Sequence, residues 1–510
     1  MSEDRSARWI LWERPEGPPG SVPARSEPTL WGKARQALGA GGGSANSAPG
    51  HGPGSASSPV SGALVVPPRD SAPGRDAIPS ARIPHEHALG ITQHTDLINW
   101  IIDNRMVEVE FQPVLDVVHN QVVGFEALSR GPQNSPLRAP DRLFSAARAV
   151  GRAGELDWIC RAEAFRQMLA RRFPGAVSLF VNVASDSLIV ECPEDLLPTV
   201  WEATRELRVL VELSGDAMGR YPRQVLETVR RARAARWGVS IGDIEFSEAG
   251  MAMLPVLEPD VVKLDHHLLT YGRAYAGQAV AAALGEVQHT GATLLVENVE
   301  DQSGFMMGRS LGGNYQRGYF HGRPGALPDS LSMPKAPIRL REVSGDDDVS
   351  FWDLAVQSGA HVSSGLAWDE VNTITLTMAG PLAQSPVPPV VGFLMPENHS
   401  WNTELAVVYR ILLARCPLTL VLGSDVAQHS NWRVRGANLP DDHPLLTHGF
   451  LIALSSTSAL VVMARRQDAD RDMWEVAISE SRELARQLLR HTTDLIDNLE
   501  GGVRHGAEAA

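Results

Sequence analysis

The sequence predicts an α/β protein: a TIM-like (β/α)8 barrel over about residues 93–326, then a smaller α/β domain, with a disordered tail ahead of both. Three observations predict this. Strand-like and helix-like segments alternate from about residue 93 onward. The strands of the first half are short apolar runs with little polar alternation, as strands buried on both faces are. Several of those runs end on a carboxylate or a carboxamide, as strands converging on one barrel mouth can.

The elements follow in order. Residues 1–90 hold 13 Pro and 13 Gly, with GGGS and SASSPVSG tracts. Such a composition buries too little apolar surface to offset chain entropy, so a disordered tail is expected. Its WILW patch reads either as a short docking segment or as plain tail. HTDLINWIIDNR is helical, and VEVEFQPVLD and QVVGFEAL are strands around a His119-Asn120 turn. LFSAARAVGRAGELDWICRAEAFRQMLARR, DLLPTVWEATREL and YPRQVLETVRRARAAR read as helices. SLFVNV, RVLVEL, VSIGDI, VVKLD and TLLVENV read as strands. A proline-rich, charged run over 327–348 reads as a linker.

The second domain spans 349–499, and residues 500–510 read as a flexible tail. FWDLAVQSGA and TELAVVYRILLARC are helical; TITLTMAG, VVGFLM, LTLVLGS, FLIALSS and ALVVMARR are strands. A closing helix is expected over RDMWEVAISESRELARQLLRHTTDLIDNLE. In it Trp474, Ile478, Ala485, Leu488, Leu495 and Leu499 fall near a 3.6-residue period. That apolar face is either packed within the domain or the seam of a homodimer.

A net charge of −14 argues against a DNA- or RNA-binding surface or an anionic-membrane surface, while leaving room for a phosphate-bearing ligand in a local pocket. Cys160, Cys192 and Cys416 are widely spaced, which suits a reducing cytosol and excludes a disulfide framework. The longest apolar stretch, GFLIALSSTSALVVMA, is broken by SSTS and reads as two strands, not a membrane span. A cytoplasmic protein is the expectation.

The chemistry gathers at the strand ends: Glu126, Asn182, Glu212, Asp243 and Glu297, with Lys263 and Asp265 in VVKLD. Carboxylates crowded at one mouth repel each other unless a cation sits among them, and hard oxygen ligands select Mg²⁺, Mn²⁺ or Ca²⁺. FQPVLD, VVGFEALSR, FVNV, VEL, VVKLD, VENVE and GYFHGRP appear in order, and their succession resembles the EAL domains. That family comprises cyclic-di-GMP phosphodiesterases and degenerate relatives on a TIM-like barrel. The resemblance implies Glu126, Asn182 and Glu212 at a first metal site, and Asp243 and Glu297 at a second, for Mg²⁺ or Mn²⁺. It implies Lys263 assisting the attacking water, Gln112 and Arg130 on the dinucleotide, and linear pGpG as product.

The departures from the family pattern cluster. Anchored without gaps on Pro259-Asp260 and Lys263, Gly242 falls where the family has a metal-bridging aspartate. Glu245 and Phe246 replace small residues in the next loop, Gly215 replaces a loop-steadying glutamate, and Arg317 replaces a glutamine beside Gln316. Three functions stay open: a dinucleotide- or partner-binding protein with weak or no hydrolysis, an active phosphodiesterase, and a scaffold without nucleotide affinity.

FWDLAVQSG, PENHSWNTELAVVYRILLARC and LTLVLGSD resemble the DICT domain, which implies a sensory module receiving a signal or a protein partner. There His399, Trp401, Trp432 and His448 either line a ligand pocket or are packing residues.

Overall fold

The computed structural model describes residues 91–508 apart from 189, 244–247, 270–273, 342–349, 386, 397–402, 425, 427–432 and 469–471. The expected tail at 1–90, the Glu245-Phe246 loop and three pocket candidates, His399, Trp401 and Trp432, lie outside the described residues.

Eight strands close a barrel in chain order: β1 Glu108–Asp116, β2 Gln121–Arg130, β3 Ser178–Asn182, β4 Arg208–Ser214, β5 Gly238–Gly242, β6 Val261–Asp265, β7 Thr293–Glu297 and β8 Tyr315–Gln316. From β2 to β8 neighbours run parallel, while β1 is antiparallel to both β2 and β8. The reversal follows from the turn. A connection as short as 117–120 can join only antiparallel strands, because a parallel pair needs a crossover. Asp116 holds that turn, accepting from the backbone N–H of Val118 (2.9 Å) and His119 (3.2 Å), while Asn120 takes a left-handed φ of 51°.

Val114, Val123, Phe180, Leu210, Val261 and Leu295, contributed by six strands, form one buried cluster that Ile338 joins from beyond the barrel. Part of the linker-like run is therefore ordered against the barrel. Tyr315 Oη donates to Ala336 O (3.1 Å), Arg208 to Ile338 O (2.5 Å), and the Arg341 backbone N–H to Asp260 Oδ1 (2.6 Å). The long helical run after β2 is two helices, Pro140–Ala149 and Ala153–Arg171, broken where Gly151 takes φ 71°.

A second, seven-stranded sheet follows, in the order β12-β11-β10-β13-β14-β15-β9. Its strands are β9 His361–Ala367, β10 Val390–Leu394, β11 Thr419–Gly423, β12 Val434–Asn438, β13 His448–Leu454, β14 Ala459–Asp468 and β15 Met473–Ser479. Three expectations give way here. TITLTMAG lies largely inside the helix Trp368–Ala379. Its threonines look strand-like, but Thr373, Thr375 and Thr377 each return a hydroxyl to the carbonyl four residues back. Trp368, Val371, Thr375 and Ala379 meanwhile form its buried face.

The closing helix is Arg482–Glu508, so Trp474 and Ile478 belong to β15, paired between β14 and β9. Their helical spacing to Ala485 is a coincidence of period. The helix also continues to Glu508, through the expected flexible tail. Its apolar residues Leu484, Ala485, Leu488, Leu489 and Ile496 are fully buried within the chain.

The described residues belong to one compact unit. The helix Glu248–Leu257, which follows β5, packs against β10, β13 and the closing helix. Arg486 Nε donates to Pro255 O (2.9 Å), satisfying a carbonyl in the last turn of that barrel helix. Among the described residues no helix is long and apolar enough to cross a membrane.

Candidate functional site

The barrel brings Gln112 of β1, Glu126 of β2, Glu212 of β4, Lys263 of β6 and Glu297 of β7 into one bonded cluster with Arg317, the residue after β8. Lys263 is 1% exposed, and a buried ammonium must satisfy each of its N–H groups. It does so on three carboxylates: Glu126 Oε2 at 2.8 Å, Glu212 Oε2 at 2.5 Å and Glu297 Oε1 at 2.8 Å. Arg317 shares two of these carboxylates. Its Nε lies 2.8 Å from Glu126 Oε2 and 3.0 Å from Glu297 Oε1, and its other nitrogens reach Glu297 Oε1 (2.5 Å) and Gln112 Oε1 (2.6 Å). Gln112 is fixed in turn by donating to Gly322 O (3.0 Å).

Burial works against both cations, yet Glu126 and its neighbouring carboxylates hold Lys263 and Arg317 above their usual ranges. The acids divide according to their contacts. Burial, with Glu126 and Glu297 adding to it against the pull of Lys263, pushes Glu212 up to about 8. Burial also opposes ionisation of Glu297, but Arg317 and then Lys263 hold it down at about 2. Arg317 bonds Glu297 and leaves Glu212 to the lysine alone.

These directions give a pH dependence. Glu212 has a folded pKa above its ordinary 4.5, so its stabilising contribution is complete below about 4.5 and is lost as pH rises through about 8. Glu297 is the reverse: its contribution is present above 4.5 and lost as pH falls through about 2. Denaturant unfolding at several pH values should therefore show stability falling by on the order of 4 kcal/mol between pH 5 and 8.5. Glu212→Gln should flatten that slope. An unchanged slope in the variant would assign the loss to other groups.

The remaining expected residues sit outside the bonded cluster. Asn182, exposed at the end of β3, is the register partner of Glu212 but makes no bond to the cluster among the described residues. Asp243 is exposed just past β5 with a left-handed φ of 54°; the burial of its surroundings, then Glu297, push its carboxyl upward. Gly242, one residue earlier, is the inward-facing position. A Cβ built there would stand 3.2 Å from Glu212 Oε1 and 3.6 Å from Lys263 Cδ. Arg130 donates to Glu110 Oε2 at 2.9 Å, and Arg138 shares that carboxylate at 3.0 Å.

Gln316 does not enter the cluster. It is fully buried on the other side of β8, donating to Phe305 O and Gly313 O at 3.2 Å. The strand period of two thus aims Arg317 into the mouth. Sequence reasoning registered Arg317 as a departure and missed its destination, although that alternation was the available signal.

Asp265, His266 and His267 converge beside the cluster closely enough to share an ion. Asp265 already accepts from Asn298 Nδ2 (2.8 Å) and from the His267 N–H (2.8 Å). In the second domain, burial holds His448 low, and its Nδ1 lies 3.1 Å from Pro444 O, a packing role.

The donor set does not fit a two-ion centre. Three carboxylates already face two fixed cations, and Glu126 Oε2 and Glu297 Oε1 each serve both of them. Glu126 and Glu297 already balance Lys263 and Arg317, and Glu212, held up to about 8, adds no full negative charge near neutral pH to offset two dications.

Residues 97–324 match the EAL domain family and constitute an EAL domain. An alignment of 238 residues that covers 44% of this chain is 25% identical to the uncharacterized protein y4lL of Sinorhizobium fredii (strain NBRC 101917 / NGR234). It spans only 28% of that relative's length. Among solved structures, the chain is similar to the Xanthomonas citri FimX EAL domain in complex with c-diGMP, at 16% identity and a TM-score of 0.39, covering 46% of this chain and 95% of that one. It is also similar to Klebsiella pneumoniae BlrP1 in a manganese/cy-diGMP complex, at 23% identity and a TM-score of 0.38, covering 43% and 56%.

Proposed function

We propose that the EAL domain at residues 97–324 is a cyclic-di-GMP signalling module that binds the dinucleotide, or a protein partner, with weak or no hydrolysis. The domain after it acts as a sensory module of DICT type that reports to the mouth. The observation that carries this reading is the engagement of Glu126, Glu212 and Glu297 by Lys263 and Arg317.

Phosphodiester hydrolysis of the kind the resemblance implies relies on two ions that activate water and neutralise charge in flight. Here the carboxylates for that task are bonded to side chains, and position 242 offers no ligand. Lys263 has three acceptors for its three N–H groups and none left over for a water. Binding asks less. Arg130 is only partly exposed but its partner Glu110 is more so, and a phosphodiester can compete for a planar guanidinium through paired, charge-assisted bonds.

Calorimetric titration with cyclic-di-GMP, with and without Ca²⁺, reads binding; chromatography with Mg²⁺ or Mn²⁺ reads conversion to pGpG. Binding without added metal and at most traces of pGpG are expected. Arg130→Ala should weaken binding by about 10- to 100-fold, the worth of one charge-assisted pair. Ready turnover would instead favour an active phosphodiesterase that assembles its metals from Glu126, Asn182, Glu212, Asp243 and Glu297. An absence of binding in every condition would leave a scaffold.

A further inference from the structure

We propose that Arg317 is a resident counter-cation: its guanidinium occupies the carboxylate oxygens that a divalent ion would need and keeps metal out of the barrel mouth. Metal exclusion then belongs to Arg317 more than to the carboxylate missing at Gly242. The inference rests on reading this mouth as the domain's ligand site, and a metal titration without dinucleotide tests it separately from that reading.

The placement of Arg317 is built, not incidental. Its backbone is held on both sides by the chain around the end of β7, donating to Val296 O (2.9 Å) and accepting from the Val299 N–H (3.1 Å). Gln316 is committed to the outer side of β8, so the next side chain must point inward. There the guanidinium meets three partners from three strands, Gln112, Glu126 and Glu297, and stays within hydrogen-bond distance of each. The fork matches this arrangement because its N–H groups diverge in one plane. A glutamine at the same place would be neutral, and its amide oxygen could itself accept or ligate.

Electrostatics decides between the two causes. Restoring a carboxylate at position 242 adds one negative charge beside Glu212 Oε1 but leaves Arg317 across Glu126 and Glu297. A divalent ion would still have to displace a guanidinium bonded to both acids. Removing the guanidinium frees oxygens and charge together.

The test is Mn²⁺ binding, read by electron paramagnetic resonance and calorimetry, on full-length wild type, R317Q, R317K, G242D and the R317Q/G242D pair. The Asp265–His266–His267 group contributes the same background to every arm. Wild type, G242D and R317K should show that background only. R317Q should bind at least tenfold more tightly, and the pair about a hundredfold, roughly one decade per restored ligand. Wild type binding as tightly as R317Q, or a folded R317Q no better than background, would overturn the proposal. If R317Q fails to fold by circular dichroism, G242D and R317K decide. Background-only binding in both supports exclusion by the resident cation, and tight binding by either refutes it.

Discussion

Replacing Lys263 with methionine is expected to destabilise the barrel by about 3–5 kcal/mol at pH 7.5, the usual cost of taking one partner from a buried ionic cluster. The side chain is similar in length and is apolar, so the packing loss is small. The electrostatic loss is not. Three buried carboxylates lose their shared donor, and only Glu126 and Glu297 keep Arg317. Glu212 loses its ion pair with Lys263 and, among the described residues, gains no other.

The sign of the pH dependence separates this from a packing defect. Without the ammonium, the remaining carboxylates take up protons more readily in the folded than in the unfolded state. Their protonation stabilises the variant below their unfolded pKa values and is lost as pH rises. The gap between Lys263→Met and wild type should therefore narrow towards pH 5 and widen towards pH 8.5. Denaturant titrations at three pH values measure it. A cost under 1 kcal/mol at pH 7.5, or one independent of pH, would mean that the cluster does not depend on its lysine.

What was legible in the sequence were features set by the chain's own periodicity. The ends of β4, β6 and β7 could be read because a buried parallel strand is a short apolar run, and a polar residue closing it stands out. Gly242 could be singled out by its spacing to Lys263, and a Cβ built there would stand 3.2 Å from Glu212 Oε1. The helix Trp368–Ala379 was not, because β-branched residues favour strands locally and only tertiary burial of one face reverses that preference. For β15, apolar spacings in MWEVAIS satisfy both a helical and a strand period, and pairing with β14 and β9 settles the choice. The destination of Arg317 was the costliest omission. A charge facing four other charges is a non-local fact, and one strand's pattern does not contain it.

Substituting Glu258 by glutamine should loosen the joint between the barrel and the second sheet. The residue sits just beyond the helix Glu248–Leu257, in a left-handed conformation (φ 47°). Its carboxylate accepts from three arginines: Arg341 at 3.2 Å, Arg486 at 2.9 Å, and Arg490. Arg341 comes from the segment beyond the barrel, while Arg486 and Arg490 lie one helical turn apart on Arg482–Glu508. One anion thus gathers three cations from two further segments. Glutamine keeps the volume and the hydrogen-bonding capacity but removes the charge the three guanidiniums share, of which Arg486 alone keeps a carboxylate partner, Glu483 Oε2 at 2.6 Å, among the ion pairs described. About 1–2 kcal/mol is expected, because Arg341 and Arg490 are partly exposed to solvent and Arg486 keeps Glu483.

The consequence should reach the mouth, because Glu248–Leu257 begins five residues after Asp243 and packs against β10, β13 and the closing helix. Amide exchange should accelerate in Glu248–Leu257 and in the first turns of Arg482–Glu508 before it does in β3 or β4. If the second domain reports to the mouth along this route, Glu258→Gln also shifts cyclic-di-GMP affinity by at least fivefold, a coupling of about 1 kcal/mol. Faster exchange with unchanged affinity would retain the joint as a structural anchor and remove it as the route of the signal.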